Sequence, residues 1–506
     1  MTDIELGVAD SGLADRLKRG AAMASIGLVI IQVVIVVQTI VLGRLLGPKE
    51  VGIFAAGTVV AEFLVVFAQS PLSEALVQRE RDIEEAANTV LVVSFVTGLL
   101  VGISVLAASP LIGDVFHDSR IGWVAAATSG LLLLRSCSSV PVGLMYRAFR
   151  FKQRMIIDAA VKIAFAGVSI VFAVFGYGAW AMVIGSYASA ITELVLNWCM
   201  ARWRPFHGRF SFRIWRQLAR FSWPLVLSEI GERAREMLEQ VLVGRSLGTA
   251  SLGQYRYAYR IGWMPALASI GAVGKVLYPA FSRIAVDGSR FREAYLRALG
   301  WIWFAALPVG ALLVVVGQPV VVLMLGEEWR SAGAATAAMA GIGLGTALNS
   351  VSSVAIKGAG RSSLLNWMTG LSLGLGVGLV VLLLPFGLVG VGIAVSLSYL
   401  VVGCLSVALA RSVVSASFRE IVSCLAPSTV SALVAFAIVF PLDRLFVSSD
   451  QNIGLVGLAS VVGECLLFTL VYLCVLRLVS PTRYRSVCDV AHRAVARIPG
   501  LTRHTV

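Results

Sequence analysis

The chain has 506 residues, 58% hydrophobic and 14% charged, with a mean hydropathy of +0.86. That balance lies far from soluble averages, excludes an ordinary soluble enzyme or binding domain, and predicts an all-α polytopic membrane protein. The net charge of +14 does not imply nucleic acid, because the basic residues sit in short loops between apolar runs rather than on one water-exposed face.

Residues 1–19 form a polar leader carrying Asp3, Glu5, Asp10, Asp15, Arg16, Lys18 and Arg19. The apolar run behind it lacks a small-residue cleavage pattern, so no removable signal peptide is expected. A spanning helix needs roughly 20 apolar residues, and on that basis the chain yields fourteen candidates. They lie at 20–43, 51–70, 88–108, 119–144, 155–175, 178–200, 219–246, 253–282, 297–325, 331–356, 363–384, 386–411, 421–441 and 453–478. The seventh and eighth are assigned partly from position, because charge weakens their hydropathy.

Loop charges set the orientation. With the N-terminus inside, 29 Lys and Arg residues fall on the cytoplasmic side, 6 on the opposite side and 7 within helices. This bias alternates loop by loop and predicts cytoplasmic termini.

An internal repeat is legible. Gly43-Arg44-Leu45-Leu46-Gly47, then Gly52, matches Gly244-Arg245-Ser246-Leu247-Gly248, then Gly253, at an offset of 201. Ser138-Ser139-Val140 recurs as Ser352-Ser353-Val354, and Phe175-Gly176 as Phe386-Gly387. Two six-helix lobes, 20–200 and 219–411, are therefore expected, joined by a cytoplasmic linker at 201–218. Two appended helices at 412–479 and a basic tail at 480–506 complete the chain. Six helices separate the copies, so the repeat is parallel, an arrangement that places a substrate site between lobes and supports alternating access.

At this point the residues resemble a known family, the polysaccharide transporter branch of the multidrug/oligosaccharidyl-lipid/polysaccharide exporter superfamily, which contains Wzx-type oligosaccharide-lipid flippases. The resemblance runs from about residue 18 to 410. It is carried by the segment Leu42 to Phe54, by Ser73-Glu74-Ala75-Leu76-Val77-Gln78-Arg79 and by Arg147-Ala148-Phe149-Arg150-Phe151-Lys152. In the second half it rests on the segment Gly253 to Arg260, on Tyr278-Pro279-Ala280-Phe281-Ser282-Arg283 and on Leu325-Gly326-Glu327-Glu328-Trp329. The resemblance implies a multi-pass protein of the bacterial cytoplasmic (inner) membrane that turns an undecaprenyl-diphosphate-linked or similar polyprenyl-linked glycan to the outer leaflet. Membrane lipids, a polysaccharide polymerase and glycosyltransferases are the other implied partners. The departure from the family is the seventh helix, where this chain carries six acidic or basic residues between 229 and 239.

That helix is the main site candidate. At 100° per residue, Glu229, Glu232, Arg233, Glu236, Glu239 and Gln240 fall on one broad face with Arg235 at its margin. Ionised groups at membrane depth normally face a bundle interior or cavity. Two readings stay open. The spacings Glu229 to Arg233, Glu232 to Arg235 and Arg233 to Glu236 suit mutual pairing. Alternatively, four acids against two bases leave a carboxylate to carry a proton or hold sodium, so H+ or Na+ is the candidate coupling ion and no other cofactor is expected.

Flipping a diphosphate needs cationic donors, and the planar fork of Arg binds phosphate oxygens bidentately. Arg256 and Arg260 on the eighth helix, beside Tyr259 and Trp263, are candidates for phosphate and sugar, with Lys275 deeper along the same helix and Arg135 isolated in the fourth. Glu62 is a candidate for gating or ion coupling, together with Asp158 and its expected i+4 partner Lys162. Gly370, Gly374 and Gly378 form a small-residue stripe that is expected to permit close helix contact. The seven cysteines contain no Cys-x-x-Cys pair, the four histidines form no metal spacing, and no Walker-type loop occurs, so neither a metal site nor an ATPase is expected. A multidrug/cation antiporter of the same fold and a non-transporting scaffold for polysaccharide assembly are the alternative functions.

Overall fold

A computed structural model describes residues 4–495 except 69–75, 77, 78, 80, 81, 149, 202, 204, 206, 207, 273–276, 286, 362 and 448–453. Helix dominates, and no strand occurs among the described residues. The physical reason is that hydrocarbon offers no partner for a peptide N–H or C=O, so an apolar run must satisfy its backbone internally. Ten stretches among the described residues are long and apolar enough to cross a membrane.

Helix α1 (Ile4–Ala68) holds the first repeat motif. It is broken at Gly47, whose φ of 69° lies in the left-handed region where a Cβ is strained, and Pro48 follows. Its apolar part, Ile31–Ala68, has 38 residues. A straight helix of that size is about 57 Å long, against a hydrocarbon core of about 30 Å. The Gly47 break therefore separates two crossings. The stretch Trp367–Val414 has 48 residues and is divided at a 3-10 turn, Leu384–Phe386, and at Gly387 (φ 70°). Gly47 and Gly248, and likewise Gly176 and Gly387, share this positive-φ conformation at repeat-equivalent positions. Dividing these two stretches and adding the two charged helices restores the fourteen crossings of the sequence reading, a count we keep as a proposal.

The chain clusters into two units, Met1–Gly253 and Gln254–Val506. In the first, α1 is followed by α2 (Ile83–Phe116), α3 (Ser119–Ser136), α4 (Ser139–Arg147), α5 (Phe151–Val174), α6 (Ala179–Ala201) and α7 (Phe212–Leu247). The helices α2 and α3 pack as one hairpin and α5 and α6 as another, with α1 against both. The expected continuous helix at 119–144 is interrupted at Cys137 and Ser138, where Ser136 Oγ bonds back to the Leu133 carbonyl and Ser139 Oγ bonds both the Ser136 carbonyl and Ser94 Oγ. Such local bonds compete with the helical ladder. One apolar cluster joins Leu76, Val90, Leu91 and Val140 to Ile214 and Leu218, so the start of α7 is anchored in this unit.

The second unit contains α8 (Thr249–Ala272, from Gln254 onward), α9 (Tyr278–Ile284), α10 (Gly288–Leu325), α11 (Arg330–Ala338), α12 (Gly341–Gly358), α13 (Ser363–Leu383) and α14 (Gly387–Val414). The helices α15 (Phe418–Leu442), α16 (Gly454–Val479) and α17 (Pro481–Val495) follow. Tyr295, Val351, Ile356 and Ala410 centre one core, while Val315, Ala435, Phe468 and Tyr472 tie α15 and α16 to α10. The glycine stripe on α13 is a correction to the sequence reading. A Cβ on Gly370, Gly374 or Gly378 would meet nothing within 4 Å, so these glycines permit no close contact among the described residues.

Candidate functional site

Helix α7 places six ionised side chains on three turns. Arg233 bridges Glu229 at 3.7 Å and Glu236 at 3.8 Å, and Arg235 bridges Glu232 at 2.6 Å and Glu239 at 2.9 Å. The three pairings expected from spacing are present, with Arg235 to Glu239 added. The charged face is unevenly buried, however. The Arg235 and Glu239 side chains are each 1% exposed, whereas Arg233 and Glu229 are 40% and 47% exposed and Leu238 is 37% exposed. The charges therefore divide into a buried pair, Arg235 and Glu239, and the more exposed Glu229, Glu232, Arg233 and Glu236. Burying a charge requires a bonded counter-charge, which each member of the inner pair supplies to the other.

Helix α1 packs against α7, and its Glu62 lies near enough to Glu236 for their charges to interact. Both acids are half-buried. Asp158 pairs with Arg154, and the charge of Lys162, its expected partner, acts on it as well. Arg154, one turn earlier, binds it at 2.8 Å, reaches Glu193 at 3.5 Å and donates to Asn197 Oδ1 at 3.3 Å. Lys162 is exposed. Arg154 and Asn197 escape the sequence reading because Arg154 precedes the candidate helix at 155–175 and Asn197 stands alone in an apolar helix. Arg135 is half-buried in the last turn of α3, beside the break at Cys137.

In the second unit, α8 carries Arg256, Tyr259, Arg260 and Trp263, all half-buried. Arg256 and Arg260 are close enough to repel, and no carboxylate acts on Arg260 among the described residues. Around them, with the expected Tyr259, stand Tyr255, Tyr257 and Tyr399, which no spacing rule singles out. Tyr259 shares a hydrogen bond of 2.9 Å with Tyr399, the Tyr255 and Tyr259 rings lie 6.0 Å apart, and the Tyr257 ring tilts over Trp329 at 4.4 Å. A run of alternating Tyr and Arg was visible, but its partners Tyr399 and Trp329 are distant in sequence. Lys275 lies outside the described residues. Chemically, α8 offers guanidinium forks and aromatic faces, which suit an anion and sugar rings. Among the described residues no group of three or more side chains is arranged to hold a metal.

Comparisons with known proteins agree on the fold. The succinoglycan biosynthesis transport protein ExoT of Rhizobium meliloti is 24% identical over 58% of this chain and 59% of its own length. The alignment thus leaves a good part of that relative unmatched. The teichuronic acid biosynthesis protein TuaB of Bacillus subtilis is 23% identical over 72% of this chain and 76% of its own, and the lipopolysaccharide biosynthesis protein WzxC of Escherichia coli is 24% identical over 63% and 65%. Among solved structures, the lipid II flippase MurJ superposes with a TM-score of 0.73 at 14% identity, covering 92% of this chain and 99% of that one. An inward-facing multidrug transporter of the MATE family gives 0.63 at 16% identity over 76% and 94%, so this chain shares the fold of these two proteins. The model of the family described as "Polysaccharide biosynthesis protein" matches residues 41–334, more than half of the chain, and the chain belongs to that family.

Proposed function

We propose that this protein is a flippase that carries a polyprenyl-diphosphate-linked oligosaccharide from the cytoplasmic to the outer leaflet of a bacterial membrane by alternating access. Arg260 carries the reading. It is a half-buried guanidinium beside Arg256 and Tyr259, with no carboxylate acting on it among the described residues. A diphosphate supplies the anionic oxygens that such a pair of arginines would bind. Relatives named for succinoglycan biosynthesis transport and for lipopolysaccharide biosynthesis support the substrate class. Glu62 and the outer α7 carboxylates Glu229, Glu232 and Glu236 are the proposed H+ or Na+ carriers, since like charges held near one another favour uptake of a cation.

The test is export of lipid-linked glycan in cells depleted of their own flippase. The Arg256→Ala/Arg260→Ala variant, present in the membrane at normal amount, should accumulate lipid-linked glycan inside; undiminished export would remove the anion role. One observation favours the antiporter reading, namely the excess of carboxylates on α7 and α1. Efflux of an organic cation that is lost on neutralising Glu62 and Glu236, with glycan export intact, would decide for it.

A further inference from the structure

A second basic site lies at the polar end of α10. A cavity of about 240 Å³ opens there, walled by Leu296, Trp301, Phe304 and Val487 and bordered by Arg297 and Arg483. The helix α17 forms its far side, directly after the spanning stretch α16.

Arg483 is the informative residue. Its guanidinium packs over Gly300 and reaches the Cys424 thiol. Its Nη1 is buried and makes no hydrogen bond among the described residues. A buried guanidinium N–H without an acceptor is costly, because the group has left water and gained nothing in exchange. Arg297 sits across the opening, exposed, with Glu293 at 2.7 Å. Arg477 lies over the Tyr484 ring at 5.8 Å and fastens α17 to the end of α16.

We propose that this cavity seats the headgroup of an anionic phospholipid, its phosphate on Arg483 and Arg297 and its acyl chains leaving past Trp301 and Phe304. Three features select a lipid over a free phosphate. The walls are mostly apolar, Trp301 is 37% exposed at the mouth, and both α10 and α16 belong to spanning stretches. Basic pockets between spanning helices on the cytoplasmic side are suited to anionic headgroups, and Trp marks the depth at which headgroups lie. The loop charges put this end of the chain on the cytoplasmic side. The bound lipid would complete the joint between α10 and α17.

Native mass spectrometry of the full chain, released from detergent after addition of equal amounts of phosphatidylglycerol and phosphatidylcholine, tests this. The wild type should retain phosphatidylglycerol in preference. Arg483→Gln should reduce that preference about tenfold, the value of roughly one charge-assisted hydrogen bond, and Val487→Trp, which fills the cavity without touching a charge, should reduce it similarly. Should Arg483→Gln fail to fold, Val487→Trp decides. Equal retention of the two lipids by the wild type, or an unchanged preference in the folded variants, would overturn the proposal. Displacement of the lipid by excess inorganic phosphate would overturn the choice of lipid as the occupant.

Discussion

Gly52 and Gly253, 201 residues apart, face one another backbone to backbone. A Cβ on Gly52 would enter the Thr249 carbonyl oxygen, and one on Gly253 would enter the Pro48 carbonyl oxygen. Pro48 and Thr249 are separated by the same 201 residues, so the two copies of the repeat make one reciprocal crossing with glycine at its closest points.

Alanine at either position must push main chain apart. Gly52→Ala and Gly253→Ala should each destabilise the protein by about 1–3 kcal/mol or more. Gly374→Ala, whose Cβ meets open space, should change little. Thermal unfolding of the purified proteins in one detergent checks the contrast; equal midpoints for Gly52→Ala and Gly374→Ala would show that the crossing yields easily.

The buried pair on α7 makes a second case. Arg235→Leu removes the guanidinium that holds buried Glu239 at 2.9 Å and should cost about 3–5 kcal/mol. Glu239→Leu, after which Arg235 keeps Glu232 at 2.6 Å, should cost less, and the double substitution to leucine should cost less than Arg235→Leu. Both side chains are 1% exposed, so solvent cannot rescue the remaining ion. Chemical denaturation of the three variants orders them.

Arg154 holds Asp158, Glu193 and Asn197 together, and Lys162 is exposed. Arg154→Ala should therefore cost about 2 kcal/mol, in line with the loss of bonds to charged groups, whereas Lys162→Ala, which removes a single exposed charge acting on Asp158, should cost less. The reverse order in an unfolding series would make Lys162 the stronger partner of Asp158.

Asp118 caps the start of α3, accepting from the Arg120 main chain at 2.9 Å and pairing with its guanidinium at 3.0 Å. Burial pushes its carboxyl up, but the Arg120 side-chain and backbone bonds, with the charges of Arg120 and Lys49, outweigh burial and hold it below the ordinary value. A depressed folded value means stability that is present above about pH 4, the unfolded value, and lost as pH falls through the lower folded one. Asp118→Asn keeps a capping oxygen and removes the charge. The stability gap between wild type and variant should be constant above about pH 4 and narrow below it; a gap that widens on acidification would reverse the sign of the argument.

The sequence shows much of this because its signals are local. Gly43 to Gly52 and Gly244 to Gly253 repeat as strings, and i+3 and i+4 spacing already pairs Glu229 with Arg233 and Glu232 with Arg235. What it hides depends on which way a helix turns in the bundle. Periodicity puts Arg235 at the margin of the charged face, yet packing makes it and Glu239 the most buried ions of α7. The glycines of α13 look the same in sequence as close-contact glycines, and only the neighbours show that theirs face open space. Tyr399 has no mark in its apolar helix until Tyr259 meets it.

The central claim is movement of a lipid diphosphate with Arg260 as a binding group. It is tested most directly in proteoliposomes containing the purified protein and a polyprenyl-diphosphate oligosaccharide with a fluorescent sugar, scored by the sugar's exposure to an added glycosidase. The account predicts translocation by the wild type, a loss of about tenfold or more in Arg260→Ala, and partial retention in Arg260→Lys. No translocation by the folded wild type, or an Arg260→Ala rate equal to the wild type, would contradict it.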